Sequence, residues 1–119
     1  MAARRKKKGA TLATVRKCAM ALPGVVEATS YGTPAFKVRG KLLARMHQEE
    51  PAVVIRFDRD DRALLIDSDP ETFYITDHYL NYSWVLVRLA NATEDILGGL
   101  LEQAWRQYAS KKQLAEYDE

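Results

Sequence analysis

With 119 residues, 47% hydrophobic and 29% charged, the chain has the length and composition of one globular domain and not of a disordered segment. No apolar run reaches bilayer-spanning length, and the basic N-terminal segment has no apolar stretch behind it to make a secretory signal, so a cytoplasmic protein with no membrane role is expected. Net charge is +2, but Arg4, Arg5, Lys6, Lys7 and Lys8 supply five of the eighteen basic groups, leaving thirteen against sixteen acids elsewhere; affinity for phosphate therefore needs a local cluster and not the overall balance.

Residues 1–10 combine small residues, the basic run and Gly9, and read as an arm with too little apolar surface to fold. A single domain is expected over 11–110, followed by a short polar tail at 111–119. Thr11 caps a helix whose apolar residues Leu12, Val15, Ala19 and Leu22 recur at helical spacing, and Pro23-Gly24 stops it. The lone cysteine, Cys18, falls on that helix's apolar stripe, which points to packing and not to a disulfide.

From Val25 the pattern changes to short β-favouring runs. Gly32 and Pro34 separate the segment ending at Tyr31 from a strand at 35–39, where Phe36 and Val38 alternate with Lys37 and Arg39. Gly40 marks a hairpin tip, and 41–47 returns as the next strand. Val53, Ile55 and Phe57 alternate with Val54, Arg56 and Asp58 in another strand. A short helix at 58–67, opened by acids that suit the positive helix start, is closed by Asp69-Pro70, and 73–76 and 84–89 are the last strands. The final helix begins after Thr93 and carries one stripe of Ile96, Leu97, Leu100, Leu101, Ala104, Trp105 and Tyr108. Gly98 and Gly99 each weaken it by about 1 kcal/mol relative to alanine, which suggests close approach to a strand.

The order predicts an α+β two-layer sandwich, an antiparallel sheet with the N- and C-terminal helices packed on one face, since no βαβ repeat demands parallel strands. If Phe36, Val38, Val53, Ile55, Phe57, Val85, Val87 and Leu89 face the helices, alternation sends Lys37, Arg39, Arg56, Trp84 and Arg88 to the open face, with Lys41, Arg45 and His47 as further candidates. No acid lies between Glu27 and Glu49 to neutralise this hairpin. Cations on a hairpin near an aromatic suit phosphate contact with stacking or groove contact, while the same charges also serve simply to keep a sheet face soluble and unpaired.

Four ordered blocks carry a family resemblance: Leu22-Pro23-Gly24-Val25; Ser30-Tyr31-Gly32-Thr33-Pro34-Ala35-Phe36-Lys37-Val38-Arg39-Gly40-Lys41; Asp69-Pro70-Glu71-Thr72-Phe73; and Trp84-Val85-Leu86-Val87-Arg88-Leu89. Together they resemble the MmcQ/YjbR-like family over roughly residues 11–108. The resemblance implies a two-layer fold like that of CyaY, the frataxin relative, and DNA binding through a "double-wing" use of sheet and hairpins. The matching cations are Lys37, Arg39, Lys41 and Arg88; Arg45, Arg56 and Trp84 come from alternation.

No catalytic or metal constellation is found. His47 and His78 are far apart and belong to no His-Glu-x-x-His pattern, Ser30 and Ser83 lack a Gly-x-Ser-x-Gly elbow, and Leu42 follows Gly40-Lys41 where a phosphate loop needs a hydroxyl. Residues 74–84 gather Asp77, His78, Tyr79, Asn81, Tyr82 and Ser83, the best enzymatic corner, read instead as a loop anchored over the sheet edge by its aromatics. The acids Asp58, Asp60, Asp61, Asp67, Asp69 and Glu71 read as a solvated ridge. The expectation is a non-enzymatic DNA-binding domain without a cofactor or metal, with weak sequence preference, using the hairpin and the arm on the phosphate backbone. The alternative is a module docking a protein partner on the open face, and a third is a small-molecule or metal binder near Asp77, His78 and Tyr82.

Overall fold

The computed structural model describes residues 9–48 and 51–119. Helix α1 (Leu12–Met20) leads into strands β1 (Val25–Ser30), β2 (Thr33–Val38), β3 (Lys41–Met46) and β4 (Ala52–Arg56). A short helix α2 (Arg62–Ser68), strands β5 (Phe73–Tyr74) and β6 (Trp84–Arg88), and helices α3 (Glu94–Tyr108) and α4 (Lys111–Asp118) follow. All pairings are antiparallel, in the order β1-β2-β3-β4-β6-β5. Among the described residues no helix is long and apolar enough to cross a membrane.

Two tight hairpins build the first half. Ser30 pairs with Thr33 and Val38 with Lys41, so each connection is two residues long, and Tyr31-Gly32 and Arg39-Gly40 all take positive φ (54°, 78°, 50° and 78°). Positive φ at both positions is the twist that matches strand to strand, and glycine supplies it at the second position without a Cβ penalty. Pro34 lies inside β2 instead of in the turn, opposite Thr29; pairing of β2 with β3 starts only at Ala35, so the missing proline N–H leaves no rung empty.

The main core lies between the sheet and the helices. Val15 and Ala19 of α1 and Leu97, Leu101, Ala104 and Trp105 of α3 pack with Phe36, Val38, Ile55, Val85 and Val87. Burying each such large side chain contributes about 1.5–3 kcal/mol. Thr93 Oγ1 accepts from the Ile96 N–H at 3.2 Å, the expected cap of α3. The α+β sandwich with terminal helices on one face is thus present.

Three local expectations change. A Cβ on Gly98 would face Cys18 Sγ of α1 at 3.9 Å and one on Gly99 would meet nothing within 4 Å, so neither approaches a strand. The short helix starts at Arg62, because Asp58 Oδ1 accepts from the Asp60 N–H at 2.7 Å and holds a turn ahead of it. The expected tail is helix α4, capped by Ser110 Oγ accepting from the Gln113 N–H at 3.1 Å. Tyr117 then lies edge-on to Trp105 at 5.0 Å, and Arg106 bridges Glu102 and Asp118.

Candidate nucleic-acid interface

The second face of the sheet is shaped by a one-residue bulge. Phe36 pairs with Ala44 and Lys37 with Leu42, so Leu43 has no partner across β2–β3 and both Leu43 and Ala44 turn to the core. Parity along β3 therefore switches. Lys41 pairs with core-facing Val38 and lies on the helix-bearing side at the strand end, whereas Arg45 pairs with Ala35 and Val54 on the second face.

That face is not left open. Residues 75–83 cross it, and Tyr79 is buried against Val54 and Leu86 with Tyr74 and Trp84 beside it. The aromatics thus anchor the loop over the middle of the sheet and not over its edge. This double coverage explains why β4 and β6 read as nearly unbroken apolar runs. The loop is tied down by Arg62, a buried guanidinium that donates to the carbonyls of Tyr79, Leu80, Tyr82 and Trp84 at 3.2, 2.6, 2.6 and 2.9 Å. Burial lowers the pKa of Arg62, with the nearby Arg59 charge adding to the effect. Arg59 itself donates to Asn81 O at 3.0 Å.

Between loop and strands is a cavity of about 350 Å³, walled by Tyr31, Arg45, His78, Tyr79, Tyr82 and Trp84 over a floor that includes Leu42 and Val54. Arg45 is only 9% exposed. Its Nη2 donates to the Tyr79 hydroxyl, its Nη1 to Met46 O at 3.3 Å, and its Cζ lies 5.2 Å from the Tyr31 ring centroid. A smaller cavity of about 200 Å³ adjoins it and shares Arg45, His78 and Tyr79, adding His47, Gln48 and Thr76. The two histidines, distant in sequence, therefore border one recess. Among the described residues no three His, Cys, Asp or Glu side chains group as metal ligands.

The residues expected at the interface have different surroundings. Lys37 is half-buried on the second face, opposite Leu42 at the cavity floor. Arg39 is exposed at its turn and donates to Tyr108 O at 3.3 Å, where a cation also suits the helix C-terminus. Arg56 is stacked between Trp84 and Tyr108 at 4.6 and 5.0 Å, with its Nε donating to Leu42 O at 2.8 Å. Arg88 lies over the Tyr74 ring at 4.0 Å and donates to Pro70 O and Glu71 O at 3.4 and 3.2 Å. Trp84 is half-buried in the cavity wall. The arm cations Arg4, Arg5, Lys6, Lys7 and Lys8 lie outside the described residues.

Alternation alone did not single out Tyr31, Tyr82 or Arg62. Tyr31 had one signal, an aromatic residue at a hairpin turn; in the structure it is 76% exposed, with the Arg45 guanidinium against its ring. Cys18, by contrast, is the half-buried packing residue expected; burial first, and the Glu94 charge next, push its thiol pKa up, away from reactivity.

Among known proteins, the model of the YjbR family matches residues 20–107. A crystal structure of Deinococcus radiodurans protein DR2400, with a domain designated DUF419, is similar at a TM-score of 0.71 and 20% identity, over 91% of this chain and 85% of that one; at that identity it speaks for the fold alone. No curated protein matches. The family match spans well over half of the chain, including both tight hairpins and the loop over the second face, and the chain belongs to the YjbR family.

Proposed function

We propose that this is a cytoplasmic, non-enzymatic domain that binds nucleic acid, DNA in the first instance, through the second face and hairpin rim of its sheet. The carrying observation is how its cations are paired. Among the described residues the ion-paired cations are Arg16, Lys17 and Arg106, all on helices. Lys37, Arg39, Lys41, Arg45, Arg56 and Arg88 have no carboxylate partner there; those with partners meet carbonyls, a hydroxyl or aromatic faces. Cations left without acids keep their field for a phosphate backbone, although the body as a whole is slightly acidic.

Lys37 on the face and Arg39 and Lys41 at the rim supply the backbone contacts, while the 4–8 arm precedes Gly9 and Ala10, whose N–H groups donate to Ala92 O and Leu89 O, and adds its contacts at the Arg88 end of the sheet. Arg45, Arg56 and Trp84 form the stacked, hydrogen-bonded surface next to Lys37, and Arg88 adds a separate cation at the far end of β6, over Tyr74. Sequence preference is weak, because α3 spends its apolar stripe on the core and carries Glu94 and Asp95 in its first turn.

The test is fluorescence anisotropy of labelled mixed-sequence single strand and duplex with the full chain over a salt series. About four neutralised phosphates give a log-log slope of about −3 on single strand. Lys37→Glu with Lys41→Glu lowers affinity at least tenfold, while replacing the five arm cations by glutamine leaves measurable binding. Loss of binding only with the arm variant makes the arm the ligand and contradicts the reading. The alternative, a protein dock on the same apolar surface, predicts no strand binding and partner capture that resists salt.

A further inference from the structure

We infer that the cavity between Tyr31, Tyr82 and Trp84 is a nucleobase site, which receives one unpaired base while Lys37 meets the adjoining phosphate. The inference deepens the proposed function and rests on it for the strand that supplies the base.

Three properties of the cavity select this ligand. Its rings are presented and not hidden: Tyr31 is 76% and Tyr82 60% exposed, and Trp84 is half-buried, although apolar aromatic surface is normally withdrawn from water. Its recessed polar group is a guanidinium with no carboxylate among the described residues, and no hydrogen bond from Arg45 Nε is found there. A donor at the bottom of an aromatic slot matches the carbonyl and ring-nitrogen acceptors on a base edge, and repels a cationic ligand. Its volume of about 350 Å³ falls at the small end of ligand pockets, which run roughly 300–1,000 Å³.

Position supplies the rest. Leu42 of the cavity floor is the cross-strand partner of Lys37, so a base in the cavity brings its phosphate toward an unpaired lysine on the same face. A base stacked inside a duplex cannot enter a concave slot without being unpaired and turned out, so the site favours single strands.

Trp84 reports directly on occupancy, because the other tryptophan, Trp105, is fully buried with its indole N–H donating to Pro23 O at 2.8 Å. The experiment titrates the full chain with short oligothymidylate, a matched hairpin duplex and thymidine monophosphate, reading tryptophan emission and anisotropy. Single strand is expected to quench Trp84 and to bind about tenfold or more tightly than duplex. Tyr82→Ala and Tyr31→Ala, both at exposed side chains, each lower single-strand affinity roughly fivefold to a hundredfold at an unchanged salt slope, the range found for one stacked base. Strand binding without quenching, insensitive to both variants, overturns the base site and leaves the backbone reading standing. Quenching by the mononucleotide with no strand binding supports the base site and overturns the polymer reading. Absence of quenching by every ligand overturns the inference.

Discussion

Arg45 on β3 and Tyr79 in the loop after β5, thirty-four positions apart, meet on the second face of the sheet, where the guanidinium donates to the tyrosine hydroxyl and lies 5.9 Å from its ring centroid. The pair joins a strand to the loop that covers it. Arg45→Met removes the donor and leaves the Tyr79 hydroxyl facing a nearly buried apolar chain. The expected cost is about 1.5–3 kcal/mol of stability, read from urea unfolding, with strand affinity falling as well. Tyr79→Phe removes the hydroxyl alone and is milder, about 1 kcal/mol.

Arg62 holds the same loop from the other side. Substitution by methionine keeps the stem packed but strips donors from four carbonyls, so a loss of about 2–4 kcal/mol is expected, with faster amide exchange at Leu80 and Tyr82. Lysine restores only part of the loss, because a single ammonium cannot reproduce the planar fork.

These two arginines mark the limit of what could be read from the sequence. Helix α3 was legible from its cap and stripe, and the β2–β3 turn from Gly40, because those signals are local. The parity switch in β3 was not, since Leu42, Leu43 and Ala44 are all apolar and nothing among them says which is the extra residue. The covering loop was recognisable as polar and aromatic, but its seat on Val54 and Leu86 depends on Arg62, whose partners lie 17 to 22 positions away. Helix α4 was missed because its sequence is polar on most sides and it is positioned chiefly by Trp105, Arg106 and Glu102 of the preceding helix.

Two glycines separate backbone need from habit. Gly24 has φ +79°, and a Cβ there would lie 2.1 Å from Gln113 Nε2, so Gly24→Ala combines backbone strain with displacement of the Gln113 side chain, whose Oε1 accepts from the Ser110 N–H at the start of α4. A loss of about 1–2 kcal/mol is expected. Gly99 lies in helix α3 with open space around its Cβ position, and Gly99→Ala raises stability by about 0.5–1 kcal/mol. Thermal unfolding of the two variants is expected to move in opposite directions.

Acid detaches α4. Hydrogen bonds from Arg106 hold the Asp118 carboxyl below the usual aspartate range. A depressed folded-state pKa contributes stability above the unfolded value of about 4, and that contribution is lost as pH falls through the lower folded value. Trp105 emission is therefore expected to change below about pH 4 as Tyr117 leaves its edge. Asp118→Asn weakens the docking at neutral pH and removes this acid step.

The most direct test of nucleic-acid binding by the second face is a backbone amide NMR titration of the full chain with short single-stranded DNA. Shift changes are predicted to cluster at Tyr31, Lys37, Arg45, Tyr82 and Trp84, with the helix surfaces of α1, α3 and α4 unchanged. Changes confined to residues 1–10 or to the helices, or none at all, would contradict the account.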